Sequence, residues 1–420
     1  MGYRMHEFKY KGKVLHCENV KVPLISEKVK TPFYLYSHKT LIDHFRKLKE
    51  AFEQVEPLVC FSMKSNSNLA VCRALLNEGA GFDIVSGGEL YKALKIKADP
   101  QKIVYASVGK SAAEIEEAIR RGILLFNVES IPELVLINNI AGRMKRKVDV
   151  AIRINPDVVP KTHKYIKTGQ RMTKFGLDLK TTEDIFDNSN RYPHLNIIGL
   201  HIHIGSQITE AAPYVRALKK VRGFIEKARI DVKVLNIGGG LGIVYSKEKP
   251  QTAKEFAGAI LPILKTFKAK IILEPGRFIA GNSGILVTSV VYVKETPYKK
   301  FVIVDAGFND LIRPSLYDAH HEIRAVVKNE NTKYCIVDIV GPICESGDFF
   351  AKNRKMPELR SGDLLAIMST GAYGFSMSSN YNARPRAAEV MVIDNEFYVI
   401  REREKNSDLI RGEVIPKILR

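Results

Sequence analysis

Between about Thr31 and Pro275 the chain repeats one pattern eight times, a short apolar run followed or preceded by a longer amphipathic one. The runs are PLVCFSM (57–63), AGFDIVS (80–86), KIVYA (102–106), ILLFNV (123–128), VDVAIRI (148–154), IIGLHIH (197–203), KVLNIGG (233–239) and KIILEP (270–275). They are rich in Val, Ile and Leu and alternate little, as expected of parallel strands covered on both faces. In the intervening SAAEIEEAIRRG, Ala112, Ile115 and Ile119 recur at helical spacing with charges opposite. ESIPELVLINNIAGR and APYVRALKKVRGFIEKAR read the same way. Eight strand–helix units in roughly 250 residues are what a (β/α)8 barrel requires.

After Gly276 the pattern changes. GILVTSVVYVKE, KKFVIVDAG, TKYCIVDIVGP, GDLLAIMS and AAEVMVIDNEFYVI are β-branched and divided by turn residues, which predicts a β-rich C-terminal domain of Greek-key or sandwich type. The expected fold class is therefore α/β plus all-β. Residues 1–30 are expected to form a strand segment joining the β domain, 31–280 the barrel and 281–420 the β domain.

The composition of the 420 residues, 45% hydrophobic and 26% charged, supplies a sizeable core under a solvated surface. The net charge of +19 is spread along the chain without a like-charged block, so a basic enzyme handling anions is expected rather than a nucleic-acid binder. Cys17, Cys60, Cys72, Cys335 and Cys344 lack paired spacing. That argues against a disulfide framework or metal site and for the cytoplasm. MGYRMHEFKYKGK has no apolar signal core, Arg4 and His6 do not suit myristoylation, and no run approaches a membrane span, so no membrane partner is expected.

Polar residues interrupt the strands at their C-terminal ends, the face where barrel enzymes place their chemistry. They are Lys64, Asp83, Arg153, His201 with His203, Gly238-Gly239-Gly240, and Glu274 with Arg277. Three glycines after the seventh strand let backbone N–H groups approach a phosphate. A lysine amine can form an imine with an aldehyde if its site is crowded with cations and shielded from water, which favours the deprotonated form. A sugar phosphate would explain the glycines and arginines. The strand-end lysine together with Glu274, able to keep a pyridine nitrogen protonated, favours pyridoxal 5'-phosphate. Arg313, Tyr317, Cys344, Glu345 and Tyr373 lie in Gly- and Pro-marked loops of the second half, where functional residues concentrate.

From about residue 30 onward the chain resembles the diaminopimelate decarboxylases. This group of fold type III pyridoxal enzymes is related to ornithine and arginine decarboxylases and alanine racemase. FSMKSNSN, GFDIVSGGEL, TGQRMTKFGLD, GLHIHIGSQ, NIGGGLG, EPGRFIAGNSG, DAGFNDLIRPSLYDAHH, GPICESGD and GAYGFSMSSNYNARPRAAEV carry the resemblance. It implies decarboxylation of meso-diaminopimelate to L-lysine and CO2, the last step of lysine biosynthesis. Lys64 would anchor the cofactor, His203 would stack on its ring with Ser206 nearby, and Asp83 would belong to the same site. Gly238, Gly239, Gly240, Glu274, Pro275, Gly276, Arg277 and Tyr373 would hold phosphate and ring. Arg277, Arg313, Tyr317, Glu345 and Tyr373 match the substrate-binding set, and Cys344 matches the proton donor. The resemblance further implies a homodimer with shared active sites, Cys344 and Glu345 coming from the second subunit.

FSMKSN stands where the family usually has a sequence nearer YALKAN, and Phe278 replaces a small polar residue. Neither change removes a reacting group. Two other readings compete. An ornithine or arginine decarboxylase on the same fold would have no use for Arg313 as a grip on a distal carboxylate. A non-catalytic pyridoxal-binding regulator would be expected to have lost Lys64, Glu274 or Cys344.

Overall fold

The computed structural model describes residues 6–158, 174–329 and 333–420. Part of one motif, 168–173 of TGQRMTKFGLD, therefore lies outside the described residues. The chain divides into two compact units, Ile42–Ala280 and the residues up to Leu41 together with Gly281–Arg420.

The first unit is a closed barrel of eight parallel strands. They are β1 (Leu58–Ser62), β2 (Gly81–Ile84), β3 (Ile103–Tyr105), β4 (Leu125–Val128), β5 (Val148–Arg153), β6 (Leu195–His201), β7 (Val234–Asn236) and β8 (Lys270–Leu273). Seven fall within the apolar runs, and β6 begins two residues ahead of the sixth. Chain order is spatial order, and β8 closes on β1 through Leu273 opposite Val59. Cys60, Val104, Leu125, Ala151, Val234 and Ile272 fill part of the interior. Burying a Val, Leu or Ile side chain of this kind stabilises the fold by about 1.5–3 kcal/mol.

Local signals set where the helices begin. Ser111 and Glu114 form a reciprocal capping box before the helix Ala112–Arg121, and Gly122 ends it in the left-handed region at φ +67°. Thr252 and Glu255 do the same for Ala253–Leu264.

The second unit is β-rich, with a mixed sheet. Along one path run Phe349–Pro357, Tyr334–Val340, Lys300–Val304, Gly284–Glu295, Phe33–Ser37, Ala388–Ile393 and Glu396–Arg401. Gly284–Glu295 is long enough to pair with Phe33–Ser37 near its start, Leu364–Ile367 in its middle and Lys300–Val304 near its end. Phe33–Ser37, a fully buried strand, thus lies between Gly284–Glu295 and Ala388–Ile393. The expected boundary at residue 31 assigns this strand to the barrel, whereas its pairing sets it in the mixed sheet; nothing local to an apolar strand says which sheet will take it.

Candidate active site

Register brings the polar strand ends to one level of the barrel. Arg153 on β5 is opposite His201 on β6, and His201 is opposite Asn236 on β7. On the other side Ser62 of β1 is opposite Asp83 of β2. In-register parallel strands of a closed sheet present such residues as a ring around the mouth.

Lys64 lies in a one-turn 3-10 segment just beyond β1. Its Nζ is 3.2 Å from Asp83 Oδ2, which also accepts from Ser62 Oγ at 2.5 Å. The Lys64 side chain is 37% exposed and Asp83 is fully buried. This corrects one expectation: the amine is not sealed among cations but faces a carboxylate, because β1 and β2 are neighbours in register. Burial pushes the Asp83 carboxyl up, and the nearby Glu274 charge adds to that.

Glu274 follows β8 and is buried. Its Oε1 accepts from Asn236 Nδ2 at 2.6 Å and Asn127 Nδ2 at 3.1 Å. His201 Nε2 stands 3.3 Å from Oε2, though neither ring nitrogen of His201 is aligned for a hydrogen bond. Burial works against its charge, but the His201 ring, Lys64 and the Asn236 amide together hold this carboxyl well below the usual carboxylate range. Two neighbouring carboxyls are thus driven apart, Glu274 toward the anion and Asp83 toward the acid.

The glycine turn is closely built. A Cβ on Gly238, whose φ is +69°, would meet Ile202 O at 2.6 Å, and one on Gly239 would run into the Glu274 carbonyl. Gly240 has φ +112° and packs against Gly205 and the Tyr214 hydroxyl. Gly239 N–H donates to His203 Nδ1 at 3.3 Å, so that nitrogen carries no proton. Burial, with the Arg153 and Lys64 charges, lowers the His203 pKa well below the ordinary histidine value, leaving a neutral ring. Arg277 is buried, with Nε and Nη2 on Ser206 Oγ at 3.3 and 3.1 Å and Nη1 on Tyr245 Oη at 2.6 Å. Gly276 packs against Ser62 and Ser65, where a Cβ would lie 3.1 Å from either Cβ.

A chain of buried charges leads away from this ring. Arg153 Nη1 donates to Glu129 Oε1 at 2.6 Å, and Glu129 N–H donates to Glu133 Oε2 at 2.9 Å. Glu133 Oε1 accepts from Lys110 Nζ at 2.6 Å, on a lysine whose side chain is fully buried.

In the β-rich unit Arg313 is buried at the start of a one-turn helix, its guanidinium 5.8 Å from the Tyr317 ring centre. Its Nε donates to His321 Nε2 at 3.4 Å, while His321 Nδ1 donates to Met368 O at 2.8 Å. These partners fix the neutral Nδ1–H tautomer. Tyr373 sits at φ +58°, a conformation a non-glycine residue holds only where surrounding structure imposes it. Cys344 is exposed, its N–H donating to Asn382 Oδ1 at 2.9 Å, and Glu345 Oε1 accepts from Tyr381 Oη at 2.5 Å.

Lys64, Asp83, His203, Ser206, Gly238 to Gly240, Glu274 and Arg277 belong to the barrel unit, whereas Arg313, Tyr317, Cys344, Glu345 and Tyr373 belong to the other. Sequence reading passed over Ser62, Asn127, Asn236, Tyr245 and His321. For the asparagines a signal existed, since asparagine is disfavoured in strands and both interrupt apolar runs. Among the described residues no group of three or more His, Cys, Asp or Glu is placed to hold a metal, and no helix is long and apolar enough to cross a membrane.

Residues 38–281, more than half the chain, match the family model for the pyridoxal-binding domain of pyridoxal-dependent decarboxylases. A diaminopimelate decarboxylase of Aquifex aeolicus is 47% identical over 406 residues, 96% of each chain. The chain belongs to the diaminopimelate decarboxylase family. Among solved structures, the diaminopimelate decarboxylase of Helicobacter pylori complexed with L-lysine superposes with a TM-score of 0.89 at 42% identity, covering 93% of this chain and 98% of that one. The M. jannaschii enzyme in co-complex with L-lysine gives 0.94 at 37%, covering 99% of each.

The family's cofactor, pyridoxal phosphate, suits these residues. An exposed amine stands at the mouth, glycines leave no room for a Cβ at the turn, Arg277 is a buried cation, Glu274 is held as an anion and His203 offers a neutral ring.

Proposed function

We propose that this chain is a pyridoxal-phosphate-dependent carboxy-lyase that converts meso-diaminopimelate to L-lysine and CO2. The observation that carries the reading is near-full-length similarity to diaminopimelate decarboxylases, joined to an amine and an ionised carboxylate at the barrel mouth. When bound, the cofactor supplies a sink for the electron pair left as the substrate carboxylate departs.

In this reading Lys64 is the amine that holds the cofactor covalently. Asp83, raised toward its acid form beside that amine, can take and return a proton at Nζ. The Gly238 to Gly240 turn, with Gly276, Pro275, Arg277, Ser206 and Tyr373, would hold phosphate and ring. Glu274, ionised at neutral pH, would keep a proton on the ring nitrogen, and His203 would contact the ring. The distal carboxylate of the substrate is gripped by Arg313, with Arg277, Tyr317 and Tyr373 completing the substrate contacts, and its ammonium pairs with Glu345. A site whose buried polar groups the wrong ligand leaves unpaired can discriminate by factors of about 10⁴.

Cys344 is the proton donor to the α-carbon. Its exposure in the single chain supports a homodimer in which this loop serves the partner's site. Cytoplasmic residence is part of the same reading.

Product analysis tests it. Purified protein is incubated with pyridoxal phosphate and, separately, meso-diaminopimelate, ornithine, arginine and lysine. Lysine and CO2 from diaminopimelate alone is the expected result; turnover of ornithine or arginine instead would overturn the substrate assignment.

A further inference from the structure

Glu274 is buried and held toward the anion, with His201 Nε2 3.3 Å from its Oε2. Among the described residues its hydrogen-bond donors are two amides, from Asn127 on β4 and Asn236 on β7, both spent on Oε1. An amide stabilises an anion without cancelling its charge, which an arginine in the same place would do. Asn236 does more: its Oδ1 accepts from Gly238 N–H at 2.9 Å, so one side chain ties the carboxylate to the glycine turn. That pair of bonds also fixes which way the amide faces. Among the described residues Asn127 Oδ1 is buried without a hydrogen-bond partner, and the hydrogen bond of the side chain goes to Glu274. His201, 1% exposed, lies beside Oε2 with neither nitrogen in a hydrogen bond.

We propose that Asn127, Asn236 and His201 are positioning residues that keep Glu274 an aimed anion, with Oε1 clamped by the amides and Oε2 left to act. This rests on the reading of Glu274 as the partner of the cofactor's ring nitrogen. Among the described residues the ionisable groups acting on Glu274 are Cys60, Lys64 and Asp83 from the β1 and β2 side, His201 at the end of β6 with His203 just beyond it, and Tyr214 from the helix Ala212–Ala228. Glu274 differs from Asp83 in having the His201 ring and the two amides beside it; the hydrogen-bond partners of Asp83 are a hydroxyl and an amine.

The test uses Asn127→Leu and Asn127→Asp in the holoenzyme and the apo-protein, and repeats Asn127→Leu in a Glu274→Gln background. Asn127→Leu should lower kcat roughly tenfold to a hundredfold, as losing an outer partner of a reacting group does at metal sites, with KM little changed. The acid limb of kcat, and of the cofactor absorbance titration, should move to higher pH, further in Asn127→Asp. In apo-protein, a carboxyl held low contributes stability above its unfolded pKa and loses it as pH falls. In Asn127→Leu that contribution should be smaller, and its loss should be complete at a higher pH. In Glu274→Gln, removing the Asn127 amide should cost nothing further, the signature of two residues acting as a unit.

An unshifted acid limb, an equal cost in the Glu274→Gln background, or failure of both Asn127 variants to fold overturns the clamp. If Glu274→Gln alone turns over normally, the ring-nitrogen reading falls instead, and the apo-protein's acid stability then decides the clamp by itself.

Discussion

Lys64 and Asp83 illustrate what one residue's neighbours decide. From the sequence, a lysine after an apolar strand reads as a shielded nucleophile. In the structure its amine is in contact with a carboxylate that burial pushes toward the acid form. The pair can exchange a proton, whereas a lone buried lysine would simply be neutral. The anchoring role is checked by colour. Lys64→Ala, incubated with pyridoxal phosphate and passed over a desalting column, is expected to lose the visible absorbance and to take up no cofactor on borohydride treatment. Retained label would make another lysine the anchor. His321 is a quieter case: nothing in DAHH announces that its second histidine is buried and aligns the Arg313 guanidinium.

At the scale of elements, the turn after β7 is the most constrained. Gly238 N–H is held by Asn236 Oδ1 and Gly239 N–H by His203 Nδ1, and the Glu274, Ile202 and Gly205 carbonyls already crowd the turn. Gly239→Ala is therefore expected to lower cofactor affinity by more than tenfold, about 1.4 kcal/mol, and to weaken the fold slightly. Equilibrium binding of pyridoxal phosphate measures the first and thermal unfolding the second; wild-type affinity would show that the turn can relax. The strands themselves were legible because parallel barrel strands are apolar throughout. All eight runs became strands, and the polar residues at their ends formed one ring. Asn127 and Asn236 were not legible as partners of Glu274, since they come from β4, β7 and the end of β8. Only closure of the barrel brings these together.

For the whole molecule, stability should depend on pH near neutrality through Glu89. Burial, chiefly, and the Asp83 charge push its carboxyl up to about 7. A group with a raised folded-state pKa stabilises fully below its unfolded value, roughly 4.3, and that contribution is lost as pH rises through about 7. Glu89→Gln cannot ionise and keeps an acceptor for Val85 N–H, so its unfolding midpoint should vary less between pH 5 and 8 than that of wild type. Parallel profiles would place the titration elsewhere. Subunit sharing has its own signature. If Cys344 serves the partner's site, mixing inactive Lys64→Ala and Cys344→Ala proteins and letting subunits exchange yields hybrid dimers with one intact site in two. Random pairing should then restore about a quarter of wild-type activity. No recovery after verified exchange would place both residues in one chain's site.

What the sequence determined by itself was local or periodic. The barrel followed from eight two-face-buried strands, the β-rich unit from its turn-divided β-branched runs, and the family from ordered motifs that carry the reacting groups. Two helix starts are set by capping boxes within four residues, Ser111 with Glu114 and Thr252 with Glu255. Tertiary structure decided everything that depends on strands distant in sequence sharing one ring. It made Asp83 the partner of Lys64, gave Glu274 its amides and paired Tyr245 with Arg277. It also set Phe33–Ser37 in the mixed sheet. An apolar strand carries no mark of which sheet will take it, and a polar side chain carries none of the partner that will set its charge. Both are fixed by register and closure, which the chain acquires only on folding.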